Sequence, residues 1–168
     1  RYKLLALAGV NNLKLYNEKY QNRYLLPTEG HKYLPYLVVV IDEYADLTMA
    51  GGAGPEARKS AKNIESAIVR LAQKGRAAGI HVIIATQRPS ADVITGLMKA
   101  NIPSRIAFAV ASAMESRIIL DLSGAEKLLG QGDMLFSTEK TMNGPERIQG
   151  AWTPDEDIEK VTDFLRSQ

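Results

Sequence analysis

Cysteine is absent from the 168-residue sequence, and histidine occurs only as His31 and His81. No disulfide framework or thiolate metal site can be built from such a chain, a zinc centre is not expected, and a reducing cytosolic setting suits it. Long apolar runs are missing too. The longest stops at Asp42, far short of the roughly 20 residues a membrane-spanning helix needs, and no signal-peptide pattern opens the chain. Charge of either sign is not in large excess: 21 Lys and Arg stand against 19 Asp and Glu, for a formal net charge of +2, which permits a polyanionic partner without demanding one. Internal repeats and long low-complexity segments are also lacking. A last absence concerns chemistry. No Gly-Lys dipeptide occurs, so the Gly-x-x-x-x-Gly-Lys-Ser/Thr phosphate loop is not found in these residues.

What is present is ordinary for a globular α/β domain, with 45% hydrophobic and 24% charged residues and a length that suits one core rather than two. The most informative stretch is Leu37-Val38-Val39-Val40-Ile41-Asp42-Glu43. Apolar, mostly β-branched residues without alternation predict a strand covered on both faces, as in a parallel sheet with helices on either side. Ligands of such sheets gather beyond the carboxyl ends of the strands. Asp42 and Glu43 are therefore expected at the mouth of a site, where one carboxylate can hold the hydration shell of Mg²⁺ and the other can polarise an attacking water. This is the Walker B pattern of nucleotide hydrolases. The plainer alternative is a buried strand running into an acidic helix cap.

Around that strand the pattern predicts an opening helix over residues 1–8, then a polar, Tyr-rich connection over residues 16–36. A Gly-rich turn follows at residues 49–55, and then a long basic helix over residues 56–78 with Ile64, Ile68 and Leu71 on one face. Gly51-Gly52-Ala53-Gly54 followed by Lys59-Ser60 imitates a phosphate loop, but no glycine precedes the lysine, and the segment follows the Walker B strand instead of preceding it; a surface loop is expected. Residues 79–87 repeat the logic of the first strand and end in Thr86-Gln87, so a neighbouring parallel strand is expected there. A helix over residues 90–100 with Val93, Ile94, Leu97 and Met98 inward, a strand over residues 105–110, a helix ending near Leu122 and two strands around Asn143-Gly144-Pro145 complete the reading. The last helix is expected to open at Thr153-Pro154-Asp155-Glu156, with Thr153 as its cap.

Two adjacent parallel strands ending in Asp42-Glu43 and Thr86-Gln87 would align three groups that triphosphate hydrolysis needs: a metal-holding carboxylate, a group that orients water, and a polar sensor for the γ-phosphate. Asp42, Glu43 and Gln87 fit those roles, although Thr86-Gln87 also fits a simple strand cap. Without a phosphate loop these residues alone are expected to bind ATP weakly and hydrolyse it negligibly.

The stretch from Leu34 to Leu47 closely resembles the Walker B region of the FtsK/SpoIIIE family of DNA translocases. So do Arg70-Leu71-Ala72-Gln73-Lys74-Gly75-Arg76-Ala77-Ala78-Gly79-Ile80-His81 and Ala85-Thr86-Gln87-Arg88-Pro89-Ser90, and so do the segments from Asp92 to Pro103 and from Gly124 to Leu135, in the family's order. The resemblance implies a RecA-like P-loop NTPase core, a mostly parallel sheet flanked by helices, that uses ATP and Mg²⁺ and assembles as a hexameric ring around double-stranded DNA. It implies Asp42 as the metal-associated acid, Glu43 as catalytic base, Gln87 as γ-phosphate sensor, and Arg76 as an arginine finger inserted into a neighbouring subunit. Taken alone, Arg76 would be one more solvated cation on a basic helix. Arg88, Lys99 and Arg117 fall where the family presents basic side chains to DNA phosphates, which give grip without sequence choice.

The chain departs from the family in carrying Ala109 and Ala113 where Arg and Lys are frequent, and in a longer insertion over residues 51–60, in which Arg58 and Lys59 offer compensating charge. On this reading residues 1–168 are a partial motor domain whose phosphate loop lies upstream of Arg1. The winged-helix module and the membrane anchor are expected elsewhere in a parent protein at the division septum, with this segment in the cytoplasm. Two rival readings stay open: a coupling or secretion ATPase of the same superfamily, and a non-catalytic DNA-binding or ring-forming module.

Overall fold

A computed structural model describes residues 1–141 and 143–168. They fall into two compact units, Arg1–Ile102 and Pro103–Gln168. The first holds α1 (Tyr2–Leu7), α2 (Leu13–Gln21), a 3₁₀ turn at Pro27–Glu29, β1 (Leu37–Ile41), α3 (Tyr44–Met49), α4 (Pro55–Gly75), β2 (Ile80–Ile84) and α5 (Gly96–Asn101).

α2 occupies part of the stretch expected as an irregular connection. Asn12 caps it by accepting the Leu15 N–H at 2.9 Å, and Leu13, Tyr16 and Asn17 are buried on one side. That 3–4 spacing is helical, but Asn, Lys and Glu between the apolar positions hide it from a composition-based reading. Leu5, Leu13, Tyr16, Leu25 and Leu34 form a cluster of their own. The buried Asn17 amide ties the strand's lead-in to α2, donating to the Leu34 carbonyl at 2.8 Å and accepting its N–H at 3.1 Å.

β1 and β2 pair in parallel, Leu37 opposite Ile80 through Ile41 opposite Ile84. Their side chains alternate in exposure: Val39, Ile41, Val82 and Ile84 are half-covered, whereas Val38 (59%), Val40 (64%) and Ile83 (54%) are open. The expectation of cover on both faces therefore holds on one face only. On that face, α4 packs against β2, α3 and α5, and Ile41 and Ile84 meet Tyr44, Ala45, Ile68, Val69, Val93 and Met98.

The start of this ribbon is locked sterically. Gly79 has φ +69°, and a Cβ there would come within 2.0 Å of Leu13 Cδ2, so only glycine fits. Its carbonyl accepts the Leu37 N–H at 2.9 Å, and the Ala77 carbonyl accepts the Leu13 N–H at 2.8 Å.

Two helix expectations change. Residues 51–60 are not all loop, because Pro55, at the first helical position, opens α4 and places Arg58 to Ser60 on it. The helix expected from Ser90 shortens to α5, because Thr95 caps it by accepting the Met98 N–H and bonds Glu65 of α4. Val93 and Met98 are buried as expected, but Leu97 is 50% exposed.

The second unit contains β3 (Arg105–Phe108), α6 (Ala113–Leu120), a 3₁₀ turn at Ala125–Lys127, β4 (Asp133–Ser137), β5 (Glu146–Gln149) and α7 (Asp155–Arg166). Its sheet is an antiparallel β3-β4-β5 meander. Ala107, Leu120 and Ala125 form the core, and the buried Ser116 hydroxyl joins α6 to the following turn by donating to the Leu122 carbonyl and accepting the Ala125 N–H. α7 begins one residue later than the sequence pattern suggests, with Pro154 at the cap position and Asp155, Glu156 and Asp157 in the first turn, where the helix dipole favours acids.

Candidate active site at the ends of the parallel strands

The ladder continues past both strands. Ala85 donates to the Ile41 carbonyl at 2.8 Å and Tyr44 donates to the Ala85 carbonyl at 2.9 Å, so the chain segments carrying Asp42-Glu43 and Thr86-Gln87 stay side by side. Glu43 ends the extended run as the N-cap of α3. Its Oε1 accepts the Ala45 N–H at 3.2 Å and the Thr86 hydroxyl at 2.5 Å, and its Oε2 accepts the Gln87 N–H at 2.9 Å. The acidic helix cap expected as the plainer alternative is Glu43 itself, at the end of the strand.

These bonds hold the Glu43 carboxyl below its ordinary range, the Thr86 hydroxyl contributing most and the Gln87 amide next, with smaller help from Ala45 and from the charge of Arg88 against a desolvation penalty. Glu43 is ionised and carries no counter-ion within bonding distance among the described residues. Asp42, immediately after β1, is exposed and makes no hydrogen bond or ion pair among the described residues. Gln87 is likewise exposed, and its side-chain amide has no bond among the described residues.

Arg88 completes this turn. Its backbone N–H donates to Thr86 Oγ1 at 3.1 Å, and its guanidinium reaches Met49 Sδ, at the far end of α3, at 3.5 Å. Thr86, given no role of its own by sequence reasoning, is the residue that links the others. Its signal was its place beside Gln87 at a strand end, where a short hydroxyl can serve both a carboxylate and a backbone amide.

Arg76 is not brought to this site. It caps α4 four residues before β2 begins, at the opposite end of the ribbon from Glu43, exposed and without a partner among the described residues, and borders an open groove of about 590 Å³ shared with Asn11, Lys14, Tyr36 and Gln73. Lys99 lies in the last turn of α5, half-exposed. Arg117 is exposed on α6 in the second unit. Ala109 follows β3, and Ala113 opens α6 beneath a capping box formed by Ser112 and Glu115.

Among the described residues no group of three or more His, Cys, Asp or Glu side chains could hold a metal ion. What the strand ends offer is one free carboxylate, Asp42, beside a second already occupied by hydrogen bonds. That donor set fits Mg²⁺, which keeps its waters and is bound by one or two carboxylates together with substrate phosphates.

Residues 1–91 match the FtsK/SpoIIIE family. The chain belongs to that family. It is 53% identical over all 168 residues to a DNA translocase FtsK of Lactococcus lactis subsp. cremoris and 49% identical to one of Lactiplantibacillus plantarum, and it spans about a fifth of their lengths, 21% and 20%. Among solved structures it resembles the pCW3 conjugation coupling protein TcpA in a monomer form with ATPγS, with a TM-score of 0.76 and 32% identity over 98% of this chain and 44% of that one. It also shares its fold with the type VII secretion ATPase EccC of Thermomonospora curvata, with a TM-score of 0.69 and 23% identity over 90% of this chain and 16% of that one. The architecture is thus the α/β fold of P-loop ATPases, as the strand pattern and the family resemblance implied. No helix among the described residues is long and apolar enough to cross a membrane.

Proposed function

We propose that this chain is part of a RecA-like motor domain that moves double-stranded DNA at the expense of ATP, serving chromosome partition at cell division. The observation that carries the reading is the joining of Glu43 to Thr86 and Gln87 at the carboxyl ends of two parallel strands, with Asp42 free beside them. Relatives named DNA translocase over the chain's whole length support the substrate.

On this reading Asp42 holds the Mg²⁺ hydration shell, and the bound Mg²⁺-ATP supplies the electrophilic phosphoryl group. Glu43, ionised and without a counter-ion, orients the attacking water and draws on its proton. The free Gln87 amide bonds the γ-phosphate oxygen. Arg76 serves a neighbouring subunit of a hexameric ring, which agrees with its place away from Glu43 in its own chain. Arg88, Lys99 and Arg117 contact DNA phosphates. The phosphate loop, the membrane anchor and the septal location belong to the remaining length of the protein.

The deciding experiment measures ATP hydrolysis by the full-length protein with and without duplex DNA. Hydrolysis stimulated by duplex of arbitrary sequence is expected; hydrolysis indifferent to DNA would sink the reading. A conjugative coupling role is the second reading, favoured by the likeness to TcpA. It predicts normal chromosome partition and lost plasmid transfer when the gene is deleted, the reverse of the first.

A further inference from the structure

Thr86 Oγ1 stands between two groups to which the proposed function gives different tasks. It donates to Glu43 Oε1 at 2.5 Å and accepts the Arg88 N–H at 3.1 Å, while the intervening Gln87 N–H occupies Glu43 Oε2 at 2.9 Å. The three consecutive residues 86–88 thus carry the clamp on the water-orienting carboxylate, the phosphate sensor and a cation facing solvent. Beyond these bonds, the Arg88 carbonyl accepts the Ser90 N–H at 2.9 Å, so the backbone of the turn is held on both sides of Arg88 while its side chain is held weakly. Gln87 and Arg88 are exposed, and the Arg88 side chain's one bond, to the Met49 sulfur at 3.5 Å, is weak. α3, capped at one end by Glu43 and touched at the other by Arg88, closes the circuit.

A carboxylate whose two oxygens already accept three hydrogen bonds has its orientation fixed by them and fewer lone pairs left for water. Because the Arg88 N–H bonds Thr86 Oγ1, any shift of the Arg88 backbone alters the bond to Thr86 and through it the bond to Glu43. We propose that Thr86 is a positioning residue that parks Glu43 while Arg88 is unengaged, and that contact of Arg88 with a DNA phosphate releases the carboxylate to orient water. This coupling rests on the functional reading above, since it takes Glu43 as the base and Arg88 as a DNA contact.

The test compares Thr86→Val and Thr86→Ser with the unaltered full-length protein in two measurements. In the first, hydrolysis rates with and without saturating duplex DNA give a stimulation ratio. Removing the hydroxyl frees Oε1, so Thr86→Val is expected to raise the DNA-free rate and cut the ratio by at least about fivefold, the range of one hydrogen bond to a charged group after screening. Thr86→Ser, which keeps the hydroxyl, is expected to restore the ratio. A merely structural role would lower both rates together and leave the ratio unmoved.

In the second, amide exchange is followed without nucleotide in peptides covering residues 85–90. Duplex DNA is expected to speed exchange of the Gln87 and Arg88 amides in the unaltered protein, and Thr86→Val is expected to show the fast exchange before DNA is added. A stimulated unaltered protein whose ratio and exchange are the same in Thr86→Val would overturn the coupling and leave the functional reading standing. An unaltered protein with no stimulation would overturn both.

Discussion

Glu43 in the first unit and Asp133 in the second are both held below the ordinary carboxylate range, and both collect hydrogen bonds on both oxygens. Their surroundings differ in kind. Asp133 opens β4, is nearly fully buried, accepts the Leu129 N–H at 2.8 Å and takes a two-pronged pair from Arg147 of β5 at 2.9 and 2.7 Å; its pKa falls to about 2, the Arg147 bond contributing most. Glu43 is held by a hydroxyl and two backbone amides, with only a weak pull from the distant Arg88 charge. Neutral donors lower a pKa without cancelling the charge, whereas a guanidinium lowers it and consumes the charge as well. A depressed pKa therefore does not by itself mark a reactive group. Among the described residues the lack of a counter-ion at Glu43 is what sets it apart from Asp133, whose carboxylate staples two strands together, and it is the feature that the proposed role in orienting water needs.

Exchanging each acid for its amide is the strongest way to break this contrast. Glu43→Gln removes the charge and turns an acceptor into an NH₂ group facing either the Thr86 hydroxyl or the Gln87 N–H. Turnover by the full-length protein is expected to fall by about 10²- to 10⁴-fold with ATP affinity retained, measured as steady-state hydrolysis beside nucleotide binding. Asp133→Asn is expected to do the opposite. It leaves a donor against the Arg147 fork and lowers the melting midpoint, by more than Glu43→Gln does, while turnover at temperatures below that midpoint stays the same. Equal losses of turnover in the two variants would end the distinction.

Acid sharpens the comparison further. The folded pKa of Asp133 lies below its ordinary value of 3.8, at about 2, so the unfolded chain binds the proton more readily. The stability it contributes is complete above pH about 4 and is lost as pH falls towards about 2. The melting midpoints of the unaltered protein and of Asp133→Asn are therefore expected to stay a constant distance apart above pH about 4 and to converge as pH approaches about 2. Parallel curves across that interval would mean that Asp133 does not carry the acid response.

The placement of Asp42-Glu43 and Thr86-Gln87 at the strand ends was legible in the sequence because each pair follows an uninterrupted apolar run, and that pattern fixes where a strand stops. Strand pairing followed from the same runs. The helix α2 was not legible, since its buried residues Leu13, Tyr16 and Asn17 include a polar one that hydrogen-bonds instead of packing. One-sided burial of β1 was hidden for a related reason: an all-apolar strand reads the same whether one face or two are covered. Thr86 could not be assigned a role from spacing, because its bonds to Glu43 and Arg88 join residues 43 and 2 positions away and exist only once the parallel register is set. The role proposed for Arg76 rests on family resemblance alone.

The smallest expected effect concerns Arg88, the cation nearest Glu43 in this network. If its guanidinium meets a single DNA phosphate, Arg88→Ala removes one counterion-releasing contact. The slope of log affinity against log salt should then fall in magnitude by about one, with affinity at moderate salt reduced about three- to tenfold and equally for duplexes of unrelated sequence. Its charge contributes least to the depressed Glu43 pKa, so the parked carboxylate should survive the substitution as long as the Arg88 backbone N–H keeps its bond to Thr86. DNA titrations across a salt series measure the slope directly. A loss confined to one sequence would make Arg88 a reader of bases, and an unchanged slope would remove it from the DNA path.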